Sequence, residues 1–149
     1  MSKVIVQRAF AKDSFYVEQD SIDTGWMPGQ AFKLNATGDK AQLGTKDAVV
    51  FIGIDDDDEL ASPPSGSLVT GIYGAGTKFV IDHSEEVEAE SADRAYDSSC
   101  ESAAINALLY IDSASKFTAT AGTNGTEKGI MIQKPSAANN YSIGIISRF

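Results

Sequence analysis

Residues 108–149 read LLYIDSASKFTATAGTNGTEKGIMIQKPSAANNYSIGIISRF, and this stretch decides the fold. Apolar and polar residues alternate through Leu108–Asp112, break at the polar turn Ser113–Ser115, and resume in Lys116–Thr120. After a loop they resume again in Gly129–Gln133 and Tyr141–Ser147. A period of two, punctuated by turn residues, is the signature of antiparallel strands with one buried face. The expected fold is therefore all-β, a small antiparallel β-barrel or sandwich.

The same reading extends toward the N-terminus. Strands are expected near Gln30–Asn35 and Ala48–Ile54, divided by Gly38-Asp39 and Gly44, and then at Ser67–Tyr73 and Lys78–Asp82, joined as a hairpin through Gly74-Ala75-Gly76. Ala103–Leu109 is helix-compatible but runs straight into Tyr110-Ile111, which favours a strand entered through a short turn. Lys3–Glu18 holds Val4, Ile5, Val6, Phe10, Phe15, Tyr16 and Val17 with Lys3, Arg8 and Lys12 ahead of the first acid. It reads either as an edge strand folded into the body or as an extended arm. The expected division is an N-terminal arm or edge strand over 1–20 and a single β-barrel domain over 21–149. Ala31–Asn35 and Leu108–Asp112, each followed later by a Gly-Ile strand, form an internal echo. Two halves built on one hairpin plan, or chance likeness between short strands, would both produce it.

With 149 residues the chain is long enough to bury about 68–70% of its unfolded surface without a metal or disulfide. Cys100 is the only cysteine, which excludes an intrachain disulfide and the usual cysteine-rich zinc sites. Met1–Phe10 lacks the apolar core of a secretory signal, and Ala48–Ile54 is too short to cross a bilayer, so a soluble protein made in a cytoplasm is expected, with no membrane partner.

Charge is unevenly spread. Asp55–Glu59 contributes −5 and Asp82–Glu101 contributes −7, leaving +3 for the rest of a chain whose net charge is −9. Self-repulsion is expected to keep both acidic segments solvated, Asp55–Glu59 as a loop and Glu85–Arg94 as a helix or a loop. Free nucleic acid is an unsuitable partner, because phosphate binding needs clustered Lys and Arg.

No stretch assembles a catalytic constellation. Asp55–Glu59 lacks the spaced Asp-x-Asp-x-Asp-Gly pattern of a calcium loop. His83, the only histidine, has no Gly-x-Ser-x-Gly nucleophile to serve and is expected at the surface. Cys100 sits among acids that disfavour a thiolate, so it reads as structural. Gly74-Ala75-Gly76-Thr77-Lys78 lacks phosphate-loop spacing. Trp26, beside Met27-Pro28-Gly29, fits the core or an interface anchor. No cofactor and no metal are expected.

The pattern Leu109-Tyr110-Ile111, short turn, Lys116-Phe117-Thr118, loop, Gly129-Ile130-Met131-Ile132, Pro135, then Ile143-Gly144-Ile145-Ile146 resembles the β-barrel of tailed-bacteriophage capsid decoration (cement) proteins. In that family the hairpin turn usually carries glycine, where this chain has Ser115. The resemblance implies a non-enzymatic protein, usually a homotrimer, bound to the major capsid protein on the outer surface of a virion assembled in the host cytoplasm. Residues that fit the capsid- or subunit-binding role are Lys3, Val4, Ile5, Val6, Arg8 and Phe10 of the N-terminal segment, with Trp26. A carbohydrate-binding or adhesin module using Trp26, Tyr73 and Tyr141 is the alternative. A trimeric β-barrel nucleotide hydrolase of the dUTPase type is a weaker one, since the chain ends Ile146-Ser147-Arg148-Phe149 without the glycine-rich segment that covers phosphates.

A solvated 55–59 loop carries a direct expectation. Changing its four aspartates to Asn or Ser should move unfolding free energy by less than about 1 kcal/mol in denaturant titrations. A loss of several kcal/mol would mean that the carboxylates are paired or hold an ion.

Overall fold

The computed structural model describes residues 2–17, 26–54, 68–83 and 94–149. The acidic run 55–59, the expected turn at 62–66 and residues 84–93 lie outside them. Eleven strands are described: β1 (Lys3–Arg8), β2 (Ala11–Tyr16), β3 (Ala31–Leu34), β4 (Ala41–Leu43), β5 (Phe51–Ile54), β6 (Leu68–Tyr73), β7 (Lys78–Asp82), β8 (Leu108–Ile111), β9 (Phe117–Thr118), β10 (Gly129–Gln133) and β11 (Ile143–Ser147). Among the described residues, one short helix, α1 (Ser99–Ser102), and a 3-10 turn at Ala137–Asn139 accompany the strands. The all-β expectation holds. The strands form two antiparallel sheets that are not closed into a barrel, in the orders β1-β7-β11-β10-β8-β9 and β2-β6-β5-β3-β4.

Two bends join the sheets. β1 pairs with β7 in the first sheet and β2 with β6 in the second, so residues 3–16 form a bent ribbon along one edge of both. The edge-strand form of the N-terminal segment is the one the structure adopts. Gly74-Ala75-Gly76 therefore does not close a hairpin: β6 and β7 do not pair with each other but pass from one sheet to the other. Gly74 and Gly76 have φ of 100° and 91°, a left-handed region that glycine enters without steric cost.

The core between the sheets follows the period-two pattern. Val4, Phe79, Ile81, Ile143, Ile145, Met131, Leu109 and Ile111 from the first sheet meet Ile52, Ile54 and Ile72 from the second. The second sheet also carries apolar residues on its other face, where Phe32, Phe51, Val69, Val17, Ala41 and Trp26 form a separate core. A parallel bridge between Val17 and Ala41 draws the two edges of this sheet toward each other at one end. Inside the curl, Phe15 stacks on Phe51 at 4.3 Å and Phe51 on Phe32 at 5.2 Å, with Trp26 edge-on to Phe32. Gly53 and Gly71 sit opposite one another on this face. A methyl group on Gly53 would lie 2.7 Å from the Phe32 ring and 2.9 Å from Trp26, and one on Gly71 would overlap Phe51.

Gly71→Ala should therefore cost about 1–3 kcal/mol, the range for overpacking a filled core. Gly38→Ala should cost about 1 kcal/mol, since its φ is 75° but nothing lies within 4 Å of the added carbon. Denaturant unfolding of both variants checks the order. A neutral Gly71→Ala would mean that the rings do not stack across this glycine.

Candidate functional site

The expected binding residues separate into two groups. Val4 and Trp26 are 5% and 3% exposed and belong to the two cores, so they present no contact surface. Trp26 is the core member of the pair of readings weighed above, and its ring is held by Phe32. Lys3, Ile5, Val6, Arg8 and Phe10 are exposed along the bent ribbon, and Phe10, at 78%, is the most open of the large apolar side chains.

The bend is held by a small polar lock. Thr77 is buried, its hydroxyl lies 2.9 Å from the Gly74 carbonyl, and it accepts a hydrogen bond from the Phe10 N–H at 3.2 Å. Ser147 at the end of β11 donates its hydroxyl to the same Gly74 carbonyl at 2.7 Å, and its carbonyl accepts from the Gly76 N–H at 2.9 Å. Arg8 reaches across to the Gly76 carbonyl from both Nε and Nη2, at 3.3 and 3.1 Å. Phe10 lies over Gly74, whose missing side chain leaves room for the ring. The result is a shallow depression of about 430 Å³ lined by Arg8, Ala9, Phe10, Ala75 and Gly76. Its walls are apolar and its one charge is a cation whose guanidinium is already partly engaged.

Among the described residues Lys and Arg outnumber the acids. Glu18, Asp20, Asp23, the run 55–59 and Glu85, Glu86, Glu88, Glu90 and Asp93 fall outside the described residues. Those acidic segments follow Val17, Ile54 and His83. The strand registers place these three at the strand ends remote from the bend, because Tyr16 pairs with Leu68, Ile54 with Thr70 and Lys3 with Asp82. Arg8, Lys12 and Lys78 sit at the bend end.

A second polar cluster lies at the remote end, and here the sequence reading of His83 as a surface residue is corrected. His83 is completely buried. Its Nε2 accepts from the Ala95 N–H at 3.2 Å, so the ring proton resides on Nδ1, which donates to the Tyr141 carbonyl at 3.1 Å. Tyr96 donates to that carbonyl too, at 2.9 Å. The acceptor belongs to a residue at φ 57° that follows Asn140 at φ 56°, so two buried donors pin a left-handed turn. The signal was in the sequence: in Phe79, Ile81, His83 the alternation puts the histidine on the inner face. Arg94 covers the cluster, its guanidinium 3.8 Å from the Tyr141 ring centroid and 2.8 Å from Glu101. Burial, reinforced by Arg94 and opposed by the Tyr141 carbonyl and Asp82, holds the His83 pKa down to about 4.

This cluster is built for packing. Both ring nitrogens of the imidazole are hydrogen-bonded to backbone groups. Cys100 is buried against the Phe117 carbonyl, with its thiol pushed up to about 12 by burial and by Asp97. Beside it Asp97 accepts from Ser99 and from the Thr118 hydroxyl, the latter at 2.7 Å, and ties α1 to β9. Among the described residues no group of His, Cys, Asp and Glu is placed to hold a metal ion.

No protein-family model, curated protein or solved structure matches the chain.

The buried neutral imidazole fixes a pH dependence. An unfolded histidine takes up a proton near pH 6.5, while His83 in the fold resists until about pH 4. Stability should be unaffected by this group above pH 6.5 and should decline as pH falls through that window, by about 3 kcal/mol in all. Denaturant midpoints across pH 4–8, compared with a His83→Gln variant that lacks this component, would measure it. Identical pH profiles for the two proteins would contradict the assignment.

Proposed function

We propose that this is a non-enzymatic binding protein that decorates the outer surface of a tailed-phage capsid, docking through the bend end of its N-terminal ribbon. The observation that carries the reading is Phe10: a largely exposed aromatic on a locked turn, beside Arg8, at the end of the body opposite the strand ends from which the acidic segments continue. Aromatic residues and arginine are both enriched at the cores of protein interfaces relative to the rest of the surface. A rigid turn presents it with little entropy to lose on binding. The capsid as partner rests on the resemblance of the 109–146 hairpins to decoration proteins. On a symmetric shell, many copies of a modest contact act together, so a small docking end suffices.

The carbohydrate alternative depended on Trp26, Tyr73 and Tyr141 forming an open platform. Trp26 is buried in the curl of the second sheet, Tyr73 packs edge-on to Phe15, and Tyr141 lies beneath Arg94. These three do not share a face.

Co-sedimentation with purified expanded phage heads tests the proposal. Phe10→Ser should lower head binding at least about tenfold, equivalent to about 1.4 kcal/mol per contact, with its circular dichroism unchanged. Lys134→Glu, at the remote end, should bind as the parent does. A parent protein that ignores heads, or a Phe10→Ser variant that binds them normally, would overturn the reading.

A further inference from the structure

We infer that β1 is the surface on which two copies of this chain meet, edge to edge about a two-fold axis that passes beside Ile5. The inference is independent of the capsid reading. Among the described residues β1 stands at the outer end of its sheet and pairs on one side only, with β7. Among the described residues, Lys3–Arg8 pair in the sheet with β7, Arg8 also reaches the Gly76 carbonyl, and Val4 packs into the first core. Of the other described sheet edges, β9 has two residues and is bridged by Tyr96, β4 has three, and β2, of equal length, is followed at its remote end by the bridge from Val17 to Ala41. A six-residue edge with unpaired backbone groups is a template for another strand.

The identity of that strand follows from side-chain register. In an antiparallel pair, residues directly opposite share one face of the sheet. A two-fold axis beside Ile5 places Ile5 opposite its own copy on the outer face, and on the inner face sets each exposed Val6 beside the partner strand at Val4, whose own side chain points into the core. Lys3 then faces the partner's Gln7, and no like charges oppose each other. Moving the axis to Val4 would set Lys3 against Ile5, and moving it to Val6 would set Val4 against Arg8. The edge is thus self-complementary in one register and mismatched in the neighbouring ones. Ile5 and Val6 are 44% and 36% exposed, so both are available to a partner on either face of the strand. The irregularity between Val6 and Arg8 ends regular pairing just beyond this apolar triplet.

A strand meeting its own copy gives a closed pair. A trimer, the usual form in the resembling family, instead needs two different surfaces to meet around a three-fold axis. Pairing at β1 would also merge the outer faces of the two sheets, on which Ile5 is followed by Val80 on β7, then Ile146, Ile130 and Leu108 on the strands beyond.

Sedimentation equilibrium of the full chain should return the mass of a dimer. Ile5→Lys, at an exposed position, should weaken the pair about tenfold or more while leaving the β-type circular dichroism intact. Register is tested by cysteine placement. Opposed antiparallel residues have Cα atoms about 4.5–5.5 Å apart, within disulfide reach, so Ile5→Cys should cross-link to itself with mild oxidant. Lys3→Cys alone should not, whereas a mixture of Lys3→Cys and Gln7→Cys chains should. The buried Cys100 serves as the negative control in the parent protein. A monomer or trimer, a dimer indifferent to Ile5→Lys, or equal cross-linking at positions 3 and 5 would each overturn the proposal.

Discussion

The rings of Phe15, Phe51 and Phe32 can stack across the second sheet only because Gly53 and Gly71, opposite one another on neighbouring strands, leave that face bare. Everything else about this sheet follows from that exclusion. With no Cβ beneath them, the rings lie close to the backbone, Trp26 fits edge-on at the margin, and the sheet curls until Val17 touches Ala41. The opposite face of the same strands is then turned toward the first sheet, where Ile52, Ile54 and Ile72 complete the larger core. One sheet therefore serves two cores. That explains why its strands, β5 above all, are buried on both faces and read as continuous apolar runs in the sequence.

The strands of the last third were legible because each is an uninterrupted alternation bounded by turn residues. Gly129–Gln133 and Lys78–Asp82 occur as expected, and Leu108–Ile111 and Ile143–Ser147 differ from the expectation only at their ends. Even the departure at Ser115 has a local account: the residue adopts φ 64°, and its carbonyl accepts from the Ala31 N–H, so a serine takes the glycine-like conformation that the turn requires. Periodicity failed where tertiary contacts decide. The break at Ala9-Phe10 has no turn signature, since what bends the ribbon is the Thr77 and Ser147 lock on a distant segment. β4, three residues long, has too few positions to show a period. Trp26 and His83 were each judged by residue type, although His83 carried the inward parity of Phe79 and Ile81.

The candidate site was visible as a composition and invisible as a shape. The sequence pointed to Lys3–Phe10 as an apolar segment with basic residues, and these are the residues that line the open edge and the bend. It could not show that Val4 faces inward while its neighbours face outward, because the identity of the partner strand sets which face is buried. Nor could it show that the acidic segments join the body at the ends remote from the bend, which depends on how β2, β5 and β7 are registered against their neighbours.

The bent ribbon also fixes an order of events. β1 and β2 are made before the other described strands, and their partners β7 and β6 much later, with Lys3 finally opposite Asp82 and Ala11 opposite Tyr73. Such pairing closes long loops, the class of contact that slows folding most. Until the ribbon returns, β6 and β7 each show an open, apolar edge at the bend, and the first core lacks Val4. The nascent ribbon meanwhile carries Val4, Ile5 and Val6 in a row, the kind of segment that joins wrong partners. Lys3, Arg8 and Lys12 bracket it as charged gatekeepers, and so they protect the chain during the interval that its own topology imposes.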